Sequence, residues 1–294
     1  MKMGRCIWEG RVRLATIDEA RGLACLVDSC ESHGPNPLMD WVAAGGAAPT
    51  RTRVTVDLAE VRFLSPFSAL RRNVFAVGKN YRAHAAEFDN SGFNATAGSA
   101  SIPEHPQVFT KATTALCGPN DPIRFDPALT QSVDYEGEIA VVVGKTCHRV
   151  ARKDAMGVVF GYVLLNDVTA RDLQKRHSQW FLGKSLDTFC PLGPWIATRD
   201  EIRTDDCTLN TWVNGEQRQH ANLGELIFDI PTLIETLSHV CTLQPGDLIA
   251  TGTPVGVGIG FDPPRFLKDG DEVRISADGL GTLCNRVMAT GESA

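Results

Sequence analysis

The stretch Asp134-Tyr-Glu-Gly-Glu-Ile-Ala-Val-Val-Val143 predicts a buried β-strand that begins with acidic residues. Its last five residues form an apolar run of strand length, and Gly144 follows it. Alternate residues of a strand face the same side, so Glu136 and Glu138 are expected to present their carboxylates together. Adjacent carboxylates repel unless a proton or a cation neutralises them, and oxygen ligands suit Mg²⁺, Mn²⁺ or Ca²⁺. Two exposed glutamates are the plainer interpretation of this motif alone.

Short apolar runs separated by turn residues predict a strand-rich fold for most of the chain. Runs typical of short strands occur at 74–77 and 248–250, and the alternation over 271–288 predicts a β-hairpin. Residues 231–240 predict a helix with Asp229 as its cap. Because helices are few and do not alternate regularly with strands, we expect an α+β, β-rich fold rather than a doubly wound or TIM-barrel architecture.

Two regions of the chain differ in how clearly their patterns can be interpreted. Residues 1–70 predict a small N-terminal subdomain whose function the sequence does not indicate, and residues 71–294 predict a larger second domain that carries the motifs described below. The stretch 89–106 is rich in Asn, Gly, Ser, Ala and Pro, which is typical of a lid or of a disordered insertion.

The composition argues against several classes of protein. The 294 residues carry a net charge of −6 without a long basic run, which is atypical of nucleic-acid binding. No stretch approaches the roughly 18 uninterrupted apolar residues of a membrane span, and the N-terminus lacks the apolar core of a signal peptide. The nine cysteines occur singly, without a C-x-x-C pair, which favours reduced thiols in the cytoplasm.

A third carboxylate lies in the motif Asn166-Asp-Val-Thr-Ala-Arg-Asp-Leu-Gln174. If a helix begins near Asp167, then Asp167, Arg171 and Gln174 lie on one helical face. An aspartate at a helix start is also an ordinary cap. Together with the two glutamates, it would complete a set of three oxygen ligands, which is typical of a catalytic Mg²⁺ site.

Three further motifs could take part in chemistry. In a predicted helix over 80–88, His84 and Glu87 are three residues apart, close enough for the carboxylate to orient the imidazole as a general base; a solvated histidine is the alternative. Lys184 stands among small and apolar residues, where it could stabilise an anionic intermediate, although a surface lysine is the default. The glycine-rich stretch 250–260 lacks the spacing of a nucleotide-binding loop, and its backbone N–H groups could instead bind a carboxylate.

The order of these motifs resembles that of the fumarylacetoacetate hydrolase family from about residue 73 to residue 287. The matching segments are Asn80-Tyr81 with His84 and Glu87, Glu136-Gly-Glu138, Asp167-Val-Thr-Ala-Arg-Asp172, Gly183-Lys-Ser185 and Thr251-Gly-Thr-Pro-Val-Gly256. The resemblance implies a mixed β-roll, usually found as a homodimer. The upstream segment Val77-Gly-Lys-Asn80 offers no further acid, so the site resembles that of the three-carboxylate branch.

The resemblance also implies roles for individual residues. A divalent metal, Mg²⁺ or Mn²⁺, would be held by Glu136, Glu138 and Asp167. The catalytic residues would be His84, Glu87 and Lys184. The implied substrate contacts are Arg82, Arg171, Gln174 and Thr253.

The substrates implied by the resemblance are 2-oxo acids. We expect hydrolysis of a C–C bond in a 2,4-dioxo acid such as an acylpyruvate or fumarylpyruvate, with His84 activating water and pyruvate enolate leaving on the metal. Isomerisation or decarboxylation of 2-oxo or 2-hydroxydienoic acids, including oxaloacetate, is the alternative. A metal-stabilised, non-catalytic small-molecule-binding scaffold is a third hypothesis.

Overall fold

The computed structural model describes residues 1–27, 34–48, 51–93 and 102–291, and in these ranges the chain is rich in strands. The strands are β1 (Lys2–Trp8), β2 (Arg11–Asp18), β3 (Leu23–Val27), β4 (Arg51–Asp57), β5 (Arg62–Leu64), β6 (Val74–Gly78), β7 (Gln107–Lys111), β8 (Leu116–Cys117), β9 (Ile123–Phe125), β10 (Val133–Asp134), β11 (Gly137–Val143), β12 (Val159–Asn166), β13 (Thr169–Ala170), β14 (Cys190–Pro191), β15 (Trp195–Thr198), β16 (Thr208–Val213), β17 (Glu216–Asn222), β18 (Leu248–Ala250), β19 (Glu272–Ala277) and β20 (Gly281–Ala289). The α-helices are α1 (Pro37–Ala43), α2 (Arg82–Asn90), α3 (Arg171–Arg176), α4 (Phe181–Lys184) and α5 (Ile230–Val240).

Two large sheets organise the molecule. The larger has the order β4-β3-β2-β1-β15-β12-β11-β18-β6-β7, with β5 paired to β1, and the smaller has the order β17-β16-β19-β20-β9. Most neighbours are antiparallel, whereas β6 runs parallel to β18 and β9 runs parallel to β20. This mixed, strand-dominated arrangement confirms the predicted α+β, β-rich fold.

Strand β11 lies at the centre of the core and is buried on both faces. Ile139 and Val141 pack into a cluster that includes residues of the smaller sheet and of α5. Ala140 and Val142, which point the other way, pack into a second cluster that includes residues of α1. Burial on both faces explains why this strand is a continuous apolar run instead of an alternating one.

The strands of residues 1–70 extend the larger sheet. Strand β1 pairs antiparallel with β15, with Met3 opposite Ile196, and β2, β3 and β4 follow outward in order. The N-terminal region therefore continues the sheet that carries β11. The division of the chain at residue 70 into two domains stays a prediction.

Several predicted elements are confirmed. The strand at 74–77 is β6, and the hairpin over 271–288 is formed by β19 and β20. The predicted helix is α5, and its N-cap Asp229 accepts a hydrogen bond from the backbone N–H of Thr232 at 3.0 Å. Within the described part of the chain, no helix is long and apolar enough to cross a membrane.

The predicted helix start near Asp167 is wrong, because α3 begins only at Arg171. The intervening backbone is extended: Thr169 and Ala170 form β13, which pairs with β10. That pairing uses the backbone groups that a helix would need. Arg171 and Gln174 do share α3, but Asp167 precedes it.

The predicted lid at 89–106 overlaps α2, which extends to Asn90. Its central residues, 94–101, lie outside the described part of the chain.

Candidate active site

Three buried carboxylates meet where β11 begins and β12 ends. The two strands are antiparallel, with Gly137 opposite Asn166 and Glu138 opposite Leu165. This register places Glu136 and Glu138 beside Asp167, the residue that follows β12. One carboxylate oxygen from each of the three lies within 4.8 Å of the others, and all three residues are buried. The structure thus brings the predicted metal-ligand set together.

The electrostatics of this carboxylate triad favour a cation. Burial, together with the negative charges of Asp167 and Glu136, raises the pKa of Glu138 well above its ordinary value. Burial would also raise the pKa of Glu136, but the charges of Lys184 and Arg171 outweigh it and lower this pKa to about 2. Three convergent, buried carboxylate oxygens are a donor set that fits a hard divalent cation such as Mg²⁺ or Mn²⁺.

Two buried lysines partly neutralise the triad. Lys184 Nζ donates to Glu136 Oε2 at 2.7 Å and to Asp167 Oδ2 at 2.8 Å, so the predicted lysine does reach the site. Lys111 Nζ donates to the other oxygen of Asp167, Oδ1, at 2.6 Å and to the carbonyl oxygen of Val168 at 3.1 Å. Asp167 therefore has an ammonium group on each of its oxygens.

Sequence reasoning missed Lys111, although a signal for it was present. It ends β7, and residues two apart on a strand face the same side, so Lys111 shares a face with Phe109. Phe109 lines the candidate active site. A lysine that ends a strand on the face of a partly buried aromatic residue was the available clue.

Arg171 connects the triad to a fourth acidic residue, Asp134, to which the sequence analysis assigned no role. Its Nε donates to Asp134 Oδ2 at 2.9 Å, and its Nη2 lies 2.7 Å from Glu136 Oε1. Its Nη1 donates to Gln174 Oε1 at 3.1 Å. Arg171 and Gln174 thus lie at the site as predicted, and Arg171 is held mainly by protein carboxylates.

His84 and Glu87 form the predicted pair on α2. His84 Nδ1 lies 3.0 Å from Glu87 Oε2, and both side chains are largely buried. Because an ionised carboxylate can only accept a hydrogen bond, this contact places a proton on Nδ1, so Nε2 is the nitrogen that can act as a base. The other oxygen of Glu87 accepts a hydrogen bond from the backbone N–H of Gly256 at 2.9 Å, which fixes the carboxylate.

The glycine-rich stretch 250–260 does bind carboxylates, and those in contact with it belong to the protein itself. The backbone N–H of Gly252 donates to Glu138 Oε2 at 2.8 Å, and that of Gly258 donates to Asp134 Oδ1 at 2.6 Å. Gly252 has a φ of +107°, and a Cβ there would lie 2.8 Å from the Cβ of Asn80. Only glycine fits this approach without displacing a neighbour.

Thr253, a predicted substrate contact, forms hydrogen bonds within the site. Its hydroxyl donates to the carbonyl oxygen of Gly137 at 3.0 Å and accepts from Gln219 Nε2 at 2.8 Å. The threonine therefore ties the glycine-rich stretch to the first residue of β11.

These groups surround one narrow cleft. The residues that line it are Val77, Gly78, Lys79, His84, Phe88, Phe109, Glu136, Glu138, Arg171, Gln174, Trp180, Lys184 and Thr253. Asp167 and Glu87 lie behind this surface, bonded to Lys184 and His84. Arg82 is exposed on α2 and is not among the lining residues.

Comparisons with known proteins find similarity along most of the chain. Residues 73–288 match the family described as fumarylacetoacetate (FAA) hydrolase C-terminal. Oxaloacetate tautomerase YisK from Bacillus subtilis (strain 168) is 48% identical over 232 residues, which cover 79% of this chain and 74% of that protein.

Solved structures agree over almost the whole length. The fumarylacetoacetate hydrolase from psychrophilic Exiguobacterium antarcticum superimposes with a TM-score of 0.81 at 40% identity. The 5-carboxymethyl-2-hydroxymuconate delta-isomerase from Mycobacterium smegmatis does so with a TM-score of 0.77 at 39% identity. Each comparison covers 99% of this chain and 100% of the other.

Proposed function

The chain belongs to the fumarylacetoacetate hydrolase family, and on this premise we propose that it is a metal-dependent tautomerase of a small 2-oxo dicarboxylic acid, with oxaloacetate as the first candidate. The observation that carries the proposal is that His84, oriented by Glu87, lines the same cleft as Glu136 and Glu138. A base beside a cation site is the minimum that keto–enol exchange requires. The similarity to an oxaloacetate tautomerase supports this substrate over a longer one.

Glu136, Glu138 and Asp167 would hold the cation, Mg²⁺ or Mn²⁺. When bound, a divalent cation supplies Lewis-acid stabilisation of negative charge on the substrate oxygens. Lys184 and Lys111 hold the two oxygens of Asp167 in fixed positions, and Gly252 does the same for Glu138.

In the proposed reaction, the His84–Glu87 pair on α2 carries out the proton transfer. His84 Nε2 would accept a proton from C3 of the keto acid, and the C3–H electrons would form the C2=C3 double bond. The C2 oxygen would then take this proton from the imidazolium, which gives the enol and restores the neutral His84 ring. Glu87 stabilises the imidazolium that forms, because its carboxylate accepts the Nδ1–H. Lys184 lies in the cleft as a buried cation, where it stabilises charge at the substrate oxygen.

Aromatic side chains narrow the cleft, which favours a short substrate. Trp180 packs on the backbone of Gly78 so closely that a Cβ there would lie 2.2 Å from the indole ring. Phe109 meets Trp180 edge to face, with ring centroids 5.2 Å apart.

Hydrolysis of a 2,4-dioxo acid is the second candidate. The His84–Glu87 pair also has the geometry of a base that activates water. The similarity to a structure named fumarylacetoacetate hydrolase supports it. In that reaction water attacks the C4 carbonyl and the C3–C4 bond breaks.

A substrate panel separates these reactions. The protein with Mg²⁺ or Mn²⁺ would be given enol-oxaloacetate, whose ultraviolet absorbance disappears on ketonisation, and separately acetylpyruvate and fumarylpyruvate, with pyruvate as the product measured. Faster ketonisation than in metal-only buffer, lost after EDTA treatment, would support the tautomerase. Metal-dependent pyruvate from the dioxo acids without enhanced ketonisation would favour the hydrolase instead.

A further inference from the structure

Lys79 is a buried cation that lines the cleft, and the proposed reaction does not use it. It follows β6 directly, its side chain is 2% exposed, and it is one of the lining residues. Its φ is +53°, a left-handed conformation that residues other than glycine rarely adopt. A non-glycine residue in this conformation at a ligand cleft is a reason to look for a functional role.

The pairing of Lys79 differs from that of the other cations of the cleft. Arg171 and Lys184 both pair with carboxylates of the triad, so the cation site already engages them. Lys79 Nζ instead pairs with Asp89 and lies 5.3 Å from the centre of the Phe88 ring. Lys79 therefore lines the cleft while its charge is paired with Asp89 and not with a triad carboxylate.

The partner of Lys79 is suited to exchange. A buried ammonium requires an anion, because an unpaired charge away from water is strongly unfavourable. The Asp89 side chain is 20% exposed and in contact with water, whereas the Lys79 side chain is only 2% exposed. Asp89 also lies in the last turn of α2, where the helix dipole disfavours a negative charge. An incoming carboxylate could replace it without leaving Lys79 unpaired.

We propose that Lys79 binds the second carboxylate of the substrate and makes the cleft selective for dicarboxylic 2-oxo acids. The inference rests on the proposed function for the position of the 2-oxo acid head at the triad. A monocarboxylic acid would gain nothing from Lys79, which would stay paired with Asp89.

The binding of stable, unreactive ligands tests this role of Lys79 without turnover. Malate and lactate share a 2-hydroxy acid head, and malate alone has a second carboxylate. Calorimetry on the Mg²⁺-loaded protein should show malate binding roughly tenfold or more tightly than lactate, as expected for a charge-assisted hydrogen bond. Lys79→Met should remove most of this preference while lactate affinity stays unchanged, and Lys79→Arg should keep most of it.

Asp89, the counter-charge of Lys79, allows a second test of the proposal. Asp89→Asn removes the competing anion, so malate should bind more tightly and lactate should not change. If Lys79→Met fails to fold, as judged by circular dichroism, the Asp89→Asn variant provides the test. An unchanged ratio of malate to lactate affinity in Asp89→Asn would then overturn the proposal.

Other outcomes also contradict the role of Lys79. Equal affinities in the unsubstituted protein, a preference that survives Lys79→Met, or an equal loss for both ligands, which would mark a structural contact with α2, each overturn it. A preserved malate preference without ketonisation of oxaloacetate would count against the proposed tautomerase and leave the carboxylate site standing.

Discussion

The backbone N–H of Asp167 donates a 2.8 Å hydrogen bond to the carbonyl oxygen of Glu136. In return, the backbone N–H of Glu136 donates to Asn166 Oδ1 at 3.0 Å. The backbones that carry two of the three carboxylates are therefore joined directly. Strand pairing therefore sets how far apart these candidate cation ligands lie.

Glu138→Gln should lower the affinity for Mg²⁺ or Mn²⁺ by at least ~100-fold, since changes to supporting residues alone commonly cost 10–100-fold. The amide keeps the shape of the side chain and can still accept the hydrogen bond from Gly252. Titration calorimetry measures the effect, with Glu104→Gln as a control at an exposed position. Unchanged affinity in Glu138→Gln would remove this residue from the ligand set.

Metal uptake should release protons over the pH range in which the Glu138 carboxyl of the metal-free protein is protonated. The raised pKa of Glu138 keeps its carboxyl protonated above the ordinary carboxyl pKa of about 4.3. A cation binds the deprotonated form, so apparent affinity should rise as pH increases toward the raised pKa and fall as pH decreases. Calorimetry in two buffers with different ionisation enthalpies gives the number of protons released. Equal observed enthalpies in the two buffers would argue against this linkage.

His84→Ala should lower kcat for ketonisation by roughly 10²–10⁴, the usual contribution of a positioned general base. Metal affinity should stay near that of the unsubstituted protein, because His84 is not among the triad residues. Stopped-flow absorbance of enol-oxaloacetate measures the change in kcat, and metal titration measures the metal affinity. The exposed His105 offers a matched control in His105→Ala. Normal turnover in His84→Ala would exclude it as the base.

Lys111→Met should destabilise the metal-free protein by about 3–5 kcal/mol, the cost of breaking a buried ion pair from one side. Asp167 Oδ1 and the carbonyl oxygen of Val168 would both lose their hydrogen-bond donor. Urea unfolding in EDTA measures the change, and Lys145→Met at an exposed position serves as the control. A loss below about 1 kcal/mol would mean that Lys184 alone compensates Asp167.

The amino-acid sequence determined the features that depend on neighbours within a few residues. Strand alternation placed Glu136 and Glu138 on one side, helical spacing paired His84 with Glu87, and an ordinary cap marked the start of α5 at Asp229. Each of these follows from local backbone geometry, which the residue types and their spacing encode.

Tertiary structure decided which distant groups meet. The helix predicted near Asp167 gave way to an extended segment, because β13 pairs with β10 across the fold. Lys111 became a partner of Asp167, and the amides of the glycine-rich stretch turned toward the protein's own carboxylates. These contacts depend on strand register and on packing between remote segments. Local sequence carries neither, so the ligand types could be predicted, whereas the arrangement of charges around them required the fold.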